Sequence, residues 1–310
     1  MDTAPPTVSA DARRCGVVAL LGAPNAGKST LVNRLVGSKV SIVTPKVQTT
    51  RSRVVGIAIR GPAQLVLVDT PGIFAPRRGL DRAMVAAAWA GARDADLVVH
   101  IVDAARMSAP RIGADDRRIV DGLREVGAHA HLALNKIDLI KRPGLLAAAA
   151  ALDGEGIYAK LFMISALSGD GVDDLAAFLA GAVAEGPWLY PEDQVADMPL
   201  RLLAAEITRE KLFLELRREL PYASTVETEG WVERRDGAVR IDQVVYVERD
   251  SQKSIVLGRS GRQIRKIGET ARRELEAILG QRVHLFLFVK VRRNWADDPE
   301  RHREMGLDTG

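Results

Sequence analysis

The clearest chemistry in this 310-residue chain lies in a glycine-rich segment that ends in Lys-Ser-Thr. The segment follows the apolar run 17–21 and consists of Gly22, Ala23, Pro24, Asn25, Ala26, Gly27, Lys28, Ser29 and Thr30. Glycines let successive backbone N–H groups point inward at phosphate oxygens, and a helix that begins here adds the positive end of its dipole. We therefore expect a nucleotide site in which Lys28 reaches the β- and γ-phosphates and Ser29 binds Mg²⁺.

A second motif predicts further contacts to the metal and the phosphates. The apolar run 64–68 is followed by Asp69, Thr70, Pro71 and Gly72. Asp69 can hold Mg²⁺ through water, and the N–H of Gly72 can reach the γ-phosphate. Asp and Gly are also ordinary turn residues, so this motif alone is weak evidence and its interpretation depends on the other motifs.

A third and a fourth motif predict which base is bound. Asn135, Lys136 and Asp138 close the apolar run 131–134. A carboxylate at Asp138 accepts hydrogen bonds from N1–H and the 2-amino group of guanine, donors that adenine lacks, so GTP and GDP are the expected ligands. After the run 161–164, a backbone N–H can meet guanine O6 in the loop formed by Ser165, Ala166 and Leu167.

The four motifs, in this order and each after a predicted strand, resemble the translation-factor-related class of GTPases. In open α/β sheets, ligands bind at the carboxyl ends of the strands. In this class, a switch segment between the first two motifs carries a threonine that closes on Mg²⁺. Thr49 and Thr50 are the candidates, and with Lys28 and Gly72 they form the predicted catalytic set; Thr49 is slightly favoured as the metal ligand beside Ser29 and Asp69. The alternative is that paired threonines only favour the start of a strand.

One departure from Ras-like enzymes affects the expected rate. Those enzymes place a glutamine after the second motif to orient the attacking water, and this chain has Ile73. An aliphatic side chain cannot position water, so slow intrinsic hydrolysis is expected. In related GTPases an asparagine at the place of Asn25 often holds K⁺, although a loop-stabilising role is an equal alternative. Arg51 is a further candidate to supply positive charge.

The composition is that of an ordinary globular protein, with 47% hydrophobic and 27% charged residues. The single cysteine, Cys15, cannot form an intrachain disulfide. Residues 1–14 contain no apolar core and are interpreted as a mobile tail, not a signal peptide. The most membrane-like run, 145–152, is far too short to span a bilayer. We therefore expect a soluble intracellular enzyme.

The chain divides near Gly186, where a helix over 172–184 stops and two nearby prolines keep the backbone extended. This predicts a GTPase domain over 15–185, a linker over 186–199 and a second domain over 200–310. The second domain shows a helix at about 202–220, strands at 224–234 and 239–249, a short helical piece, a helix at 262–279 and a strand at 283–291.

Positive charge is concentrated in the second domain. From 253 to 293 there are eleven Lys or Arg and three Glu, a net of +8, while the whole chain has a net of +4. Such a segment suggests a polyanionic partner. A solvated basic helix is the alternative.

A GXXG loop strengthens the nucleic-acid interpretation. The loop precedes a helix whose inward positions are Ile264, Ile267, Ala271, Leu275 and Ile278. KH domains use such a loop to clamp the backbone of single-stranded nucleotides. The predicted RNA contacts are Gly258, Arg259, Ser260, Gly261, Arg262, Arg265 and Lys266.

A GTPase domain followed by a KH domain resembles the Era family of bacterial ribosome-biogenesis GTPases, over about 17–307. The resemblance implies a doubly wound P-loop α/β sheet followed by an α+β type II KH domain. It implies binding to the 3′ end of small-subunit (16S) ribosomal RNA, and not to DNA, during maturation of the small ribosomal subunit. It also implies a cytoplasmic protein with some peripheral membrane association.

Two alternatives stay open. In the first, the chain is a nucleotide-gated RNA-binding scaffold with incidental hydrolysis, since Ile73 cannot position water. In the second, it is a related tRNA-modification GTPase. The second is disfavoured because no catalytic cluster is visible in the second domain and Cys15 lies before the phosphate loop.

Overall fold

The computed structural model describes residues 13–107, 111–127, 129–293, 295–298 and 307. A six-stranded sheet forms the first half of the chain. Its strands run in the order β2-β3-β1-β4-β5-β6, with β2 antiparallel to β3 and all other neighbours parallel. The strands are β1 (Arg14–Leu21), β2 (Val54–Arg60), β3 (Ala63–Asp69), β4 (Leu97–Asp103), β5 (Ala130–Asn135) and β6 (Tyr158–Met163).

Helices cover both faces of this sheet. They are α1 (Lys28–Val36), α2 (Gly79–Arg93), α3 (Ala114–Glu125), α4 (Arg142–Asp153) and α5 (Val172–Ala182). One core cluster joins the sheet to α1 and α5, and others join it to α2, α3 and α4. Strands buried on both faces are nearly all apolar, which explains the uninterrupted runs in the sequence. The predicted doubly wound sheet is confirmed.

The segment after α5 is extended and packs along the edge strand β2. The N–H of Ile57 donates to the carbonyl of Val195, and the N–H of Asp197 donates to the carbonyl of Val55. Gln64 accepts the N–H groups of Leu189 and Tyr190. This part of the chain therefore protects an edge that would otherwise expose unpaired backbone groups.

A second, smaller sheet has the order β7-β8-β9, with β7 and β8 antiparallel and β8 and β9 parallel. The element order α-β-β-α-α-β confirms the predicted type II KH fold. The elements are α6 (Leu200–Glu215), β7 (Ser224–Glu233), β8 (Val239–Val247), α7 (Asp250–Leu257), α8 (Arg262–Leu279) and β9 (Val283–Val291).

Two details of this half differ from the sequence prediction. Helix α6 ends at Glu215 instead of continuing to about residue 220. The Lys46 ammonium, from the first half of the chain, takes the carbonyls of Phe213 and Leu216, so the unpaired carbonyls of the helix end are satisfied there. On α8, Ile267, Ala271 and Leu275 are buried as predicted and Ile264 is partly buried, but Ile278 is 37% exposed, so its inward assignment was wrong.

None of the helices in the described ranges is long and apolar enough to cross a bilayer.

Candidate functional site

The glycine-rich loop lies between β1 and α1 and borders a cavity of about 390 Å³ at the carboxyl end of the parallel strands. Gly27 has φ 103°, and a Cβ there would lie 2.1 Å from Nδ2 of Asn135, so a larger residue fits neither the backbone nor the space. The Lys28 ammonium donates to the carbonyls of Gly22 (2.9 Å) and Ala23 (3.1 Å). The loop therefore wraps around its own lysine.

Lys28 is almost fully buried, at 6% exposure. Burial lowers its pKa from 10.5 to about 8, and the nearby carboxylate of Asp69 opposes that shift. Among the described residues, Lys28 forms no ion pair, so its buried ammonium favours an anionic ligand, because phosphate oxygens would restore the solvation that the protein has removed.

Four oxygen-bearing side chains, those of Ser29, Ser41, Thr50 and Asp69, meet beside the lysine, and the Ser41 hydroxyl donates to Oδ2 of Asp69 at 2.6 Å. The Ser29 hydroxyl donates to Oδ2 of Asp69 at 2.6 Å and lies 2.9 Å from the Thr50 hydroxyl. Asp69 is fully buried, and its Oδ1 has no hydrogen-bond partner among the described residues. Burial raises the pKa of this carboxyl, and its hydrogen bond from Ser29 counteracts that shift. Carboxylate and hydroxyl oxygens are the donors that Mg²⁺ prefers, so this set fits that ion.

The structure brings Thr50, and not Thr49, to this set. The Thr49 hydroxyl instead lies 2.6 Å from the Thr44 hydroxyl and donates to the carbonyl of Lys46 at 2.8 Å. The slight sequence preference for Thr49 therefore disagrees with the geometry. Both residues border the cavity, but their hydroxyls have different partners, and no sequence period reveals which one joins Ser29 and Asp69.

The guanine motif is fixed by contacts to the phosphate loop. Asn135 donates to the carbonyl of Ala26 at 2.7 Å and accepts the N–H of Ala166 at 2.9 Å. Lys136 donates to the Asn25 carbonyl at 2.7 Å and pairs with Asp103 at 2.6 Å. Asp138 follows on the next turn with an exposed side chain. The base and phosphate regions therefore form one connected unit.

The remaining predicted loop residues lie beside this unit. Arg34 donates to the carbonyls of Ala166 and Leu167, while Ser165 is fully buried and the Leu167 side chain is 74% exposed. After β3, the Thr70 hydroxyl donates to the carbonyl of Leu20 at 2.6 Å. Pro71 is buried next to it.

The approach of Gly72 to the phosphate loop is close. A Cβ at Gly72 would lie 2.9 Å from backbone atoms of Pro24. The next residue, Ile73, is 2% exposed, packs with Leu21 and Ala88, and donates its N–H to the Gly22 carbonyl at 3.1 Å. Its side chain is part of the core and cannot hold a water molecule.

Asn25, as a ligand of K⁺, and Arg51, as a cation, are the two candidates for adding positive charge near the phosphates. Their positions differ. Asn25 lines the cavity with φ 64° and donates Nδ2 to the Pro45 carbonyl at 3.0 Å. Arg51 is 3% exposed and donates to carbonyls of the second domain, so it does not reach the phosphate loop in this structure.

Arg106 borders the nucleotide cavity, although no sequence motif selects it. It follows β4, its side chain is 67% exposed, and its Nε lies 3.6 Å from Asp103. No motif spacing marks this position. Only the folded arrangement of the β4 end beside the phosphate loop brings it to the cavity.

The GXXG loop joins α7 to α8 with an unusual backbone. Gly258, Ser260 and Gly261 have φ of 70°, 55° and 73°. A Cβ at Gly258 would lie 2.6 Å from Cβ of Gln263, so the loop requires glycine there. Arg259 and Ser260 are exposed at its tip. The loop leaves its backbone open to a strand of nucleotides.

Ion pairing separates the basic residues of the second domain into two groups. Along α8, Arg272 pairs with Glu276 and Arg273 pairs with Glu269. Near the loop, Lys266 pairs with Glu215 at 2.9 Å. Within the described parts of the chain, no ion pair involves the exposed residues Arg259, Arg262 and Arg265. Uncompensated positive charge therefore surrounds the GXXG loop.

A groove continues from this loop between α8 and the edge strand β9. Its volume is about 480 Å³, and it is lined by Ile264, Arg265, Gly268, Glu269, Arg272, Leu285 and Leu287, with the Glu269 carboxylate paired to Arg273. Apolar walls with a cationic rim suit nucleobases whose phosphates stay at the rim. The sequence prediction missed Arg272, Leu285 and Leu287, because only the pairing of β9 places them beside the helix.

Two family models match the two halves of the chain. Residues 17–136 match the family described as 50S ribosome-binding GTPase, and residues 219–296 match the KH domain. The GTPase Era of Rhizobium meliloti (strain 1021) is 61% identical over 295 residues, covering 95% of this chain and 93% of that protein. The GTPase Era of Brucella melitensis biotype 1 is 60% identical over 295 residues, covering 95% and 94%.

Solved structures resemble the whole fold as well. One is Era in complex with MgGDPNP and nucleotides 1506–1542 of 16S ribosomal RNA, with a TM-score of 0.89 and 36% identity. Another is a variant of Aquifex aeolicus Era bound to GDP·AlF4⁻, with a TM-score of 0.88 and 36% identity. Each comparison covers 95% of this chain and 99% of the other.

Proposed function

Because this chain belongs to the Era family of GTPases, we propose that its GTP-hydrolysing domain controls a KH domain that binds the 3′ end of 16S ribosomal RNA. The biological role would be maturation of the small ribosomal subunit. The observation that carries the proposal is the GXXG loop, whose arginines form no ion pair within the described residues, on a chain that also carries the predicted guanine-nucleotide motifs. The similar Era structure with a GTP analogue and 16S nucleotides supports the same combination.

The proposed division of the chain is 15–185 for the GTPase domain, 186–199 for the linker and 200–310 for the KH domain. In the first, backbone N–H groups of 22–30 would surround the phosphates, and the Lys28 ammonium would turn from the carbonyls of Gly22 and Ala23 toward them. The exposed Asp138 would accept both donors of guanine. Binding of GTP would thus exchange loop contacts for ligand contacts.

We propose Ser29 and Thr50 as hydroxyl ligands of Mg²⁺, with Asp69 holding its water. The Oδ1 atom of Asp69 and the adjacent hydroxyls provide the oxygen set for this ion. Bound there, Mg²⁺ would neutralise charge on the β- and γ-phosphates. The Gly72 N–H would meet the γ-phosphate, because that backbone already lies against Pro24.

K⁺ is proposed as an additional source of positive charge. Asn25 directs its amide nitrogen to the Pro45 carbonyl, which leaves its side-chain oxygen as the atom able to coordinate a cation at the cavity. GTP turnover should then rise when Na⁺ is replaced by K⁺ at equal ionic strength. In Asn25→Ala this response should be lost. Equal rates in the two salts would leave Asn25 as a structural residue of the loop.

The scaffold alternative is favoured by one observation, the burial of Ile73. To separate the two functions, GTP turnover is measured with and without a single-stranded RNA of the 16S 3′-end sequence, and RNA affinity is measured with GDP and with a non-hydrolysable GTP analogue. A switch requires RNA to change turnover and the nucleotide to change RNA affinity. A DNA strand of the same sequence is the control. Nucleotide-independent RNA binding without any effect on turnover would favour the scaffold.

The place of action is proposed from the function. Assembly of bacterial ribosomes is a cytoplasmic process, so the protein is expected there. Peripheral membrane association rests on the family resemblance alone. Co-flotation with liposomes of anionic and of neutral lipids tests it, and recovery in neither floated fraction would contradict it.

A further inference from the structure

The segment that follows α1 is attached to the KH domain at several points. The Lys39 ammonium pairs with Glu210 of α6 at 2.7 Å, and the N–H of Val43 donates to the same carboxylate at 2.9 Å. Lys46 donates to the Leu216 carbonyl at 2.6 Å. These residues come shortly before Thr49 and Thr50 in the chain. The switch segment is therefore attached to the KH domain at α6 and at the residue that follows this helix.

The most deeply buried of these contacts comes from Arg209 on α6. This arginine is 1% exposed and donates Nη2 to the carbonyl of Thr49 at 2.5 Å. Its Nε donates to Glu206 at 2.7 Å, and its guanidinium lies 5.2 Å from the Phe213 ring centre. Two neighbours therefore fix the guanidinium while it binds the switch backbone.

The hydrogen bond from Arg209 to the Thr49 carbonyl also restricts the next residue, Thr50. The carbonyl of Thr49 and the nitrogen of Thr50 share one planar unit, so a fixed carbonyl oxygen restricts the orientation of the next residue. On the other side of Thr50, Arg51 donates to the carbonyls of Ser224 (2.8 Å) and Pro221 (3.2 Å). Thr50 is thus held between two anchors in the KH domain.

The held residue is the one that meets the metal-binding oxygens. The Thr50 hydroxyl lies 2.9 Å from Ser29 and 3.4 Å from Oδ2 of Asp69. We propose that Arg209 of the KH domain is a positioning residue of the GTPase reaction, which acts through the Thr49 carbonyl to place Thr50 for Mg²⁺. This rests on the proposed role of Thr50 as a metal ligand.

The proposal gives the KH domain a direct part in the GTPase site. A shift of α6 would move the Thr49 carbonyl, and Mg²⁺ with GTP would in turn favour the α6 position that suits Thr50. Such coupling of binding free energies is reciprocal. It therefore offers a physical route by which RNA on the KH domain and nucleotide on the GTPase domain affect each other.

The test compares Arg209→Met, Arg209→Lys and the control Arg201→Met in the full chain. Arg201 is on the same helix and is exposed. The Mg²⁺ concentration for half-maximal binding of a fluorescent non-hydrolysable GTP analogue should rise about 10- to 100-fold in Arg209→Met, as for other residues that orient metal ligands. Arg209→Lys should lie between this variant and the native chain, because an ammonium can still donate to the carbonyl. Arg201→Met should match the native chain.

Two further measurements distinguish positioning from folding. Affinity for GDP without Mg²⁺ should stay unchanged in Arg209→Met, and amide hydrogen exchange over 44–52 with the analogue and Mg²⁺ should become faster. If Arg209→Met does not fold, as judged by circular dichroism, Arg209→Lys carries the test. An unchanged Mg²⁺ requirement in a folded Arg209 variant would overturn the proposal. If instead Thr50→Ala leaves the Mg²⁺ requirement unchanged, the proposed role of Thr50 itself fails.

Discussion

The nucleotide site and the GXXG region are both proposed to bind phosphate, yet they are built in opposite ways. In the nucleotide site the functional groups already have partners: Lys28 contacts loop carbonyls, Ser29 contacts Asp69, and Asn135 contacts Ala26. Around the GXXG loop, Arg259 is exposed and outside any described ion pair. The first region is organised before the ligand arrives, whereas the second presents open backbone and uncompensated charge.

This difference explains what each region can recognise. Buried partners give discrimination, because a wrong ligand leaves a desolvated group unpaired. Exposed cations on a flat rim give affinity that depends on charge and salt more than on sequence. We therefore expect substitutions in the nucleotide site to cause large and specific losses, and substitutions near the loop to cause smaller, salt-dependent losses.

The largest expected effect is the loss of one buried cation. Lys28→Ala should reduce GTP turnover at least about 100-fold, since removal of a single preorganised charged donor costs that much in other enzymes. Turnover is followed by phosphate release at saturating Mg²⁺. The matched control is Lys266→Ala, which removes an exposed cation of the KH domain and should leave RNA-free turnover unchanged. Native turnover in Lys28→Ala would contradict the assignment of the phosphate loop.

The second-largest effect is expected on the recognition of the base. Asp138→Asn replaces an acceptor with an amide that can donate, which suits a 2-oxo purine. The ratio of GTP to XTP affinity should fall about 100-fold or more, measured by competition with a fluorescent guanine nucleotide. Asp153→Asn, at the end of α4, is a control outside the motif. Unaltered GTP affinity in Asp138→Asn would mean that this carboxylate does not contact the base.

A charge reversal at the GXXG loop tests RNA binding by the KH domain. In the double variant Arg259→Asp and Ser260→Asp, single-stranded RNA affinity should fall more than about tenfold at low salt. Each lost phosphate contact should also flatten the log–log salt dependence by about 0.7. Fluorescence anisotropy with labelled RNA at several salt concentrations measures both, and GDP affinity should stay native. Native RNA affinity would remove the support for a KH interface at this loop.

The four predicted nucleotide motifs come together in the structure because each lies at the end of a short apolar strand. Parallel strands bring those ends to one edge, so local spacing already implies spatial proximity. The choice between Thr49 and Thr50, the position of Arg51 and the end of α6 depend on contacts across the domain boundary. Residues such as Arg209 and Thr49 lie far apart in the chain, and no local pattern links them.

The smallest expected effect is a dependence on pH, which should lower GTP affinity but leave RNA affinity unchanged. Without nucleotide, burial lowers the pKa of Lys28 to about 8, while phosphate oxygens nearby would favour its charged form and raise that pKa. GTP binding should therefore take up a proton above pH 8, and affinity should be full below pH 8 and fall up to about tenfold per unit as the pH rises. In the nucleotide-free protein the same lowered pKa makes stability rise with pH between about 8 and 10.5, because the unfolded chain then binds more protons.

Calorimetry of GTP binding at pH 8.5, in two buffers of different ionisation enthalpy, measures the proton uptake. The exposed arginines around the GXXG loop do not titrate in this range, so RNA affinity should stay level between pH 7 and about 9. If no proton is taken up with GTP, Lys28 is charged before the nucleotide arrives. A parallel decline of RNA affinity would mean that the pH effect comes from the whole protein and not from the buried lysine.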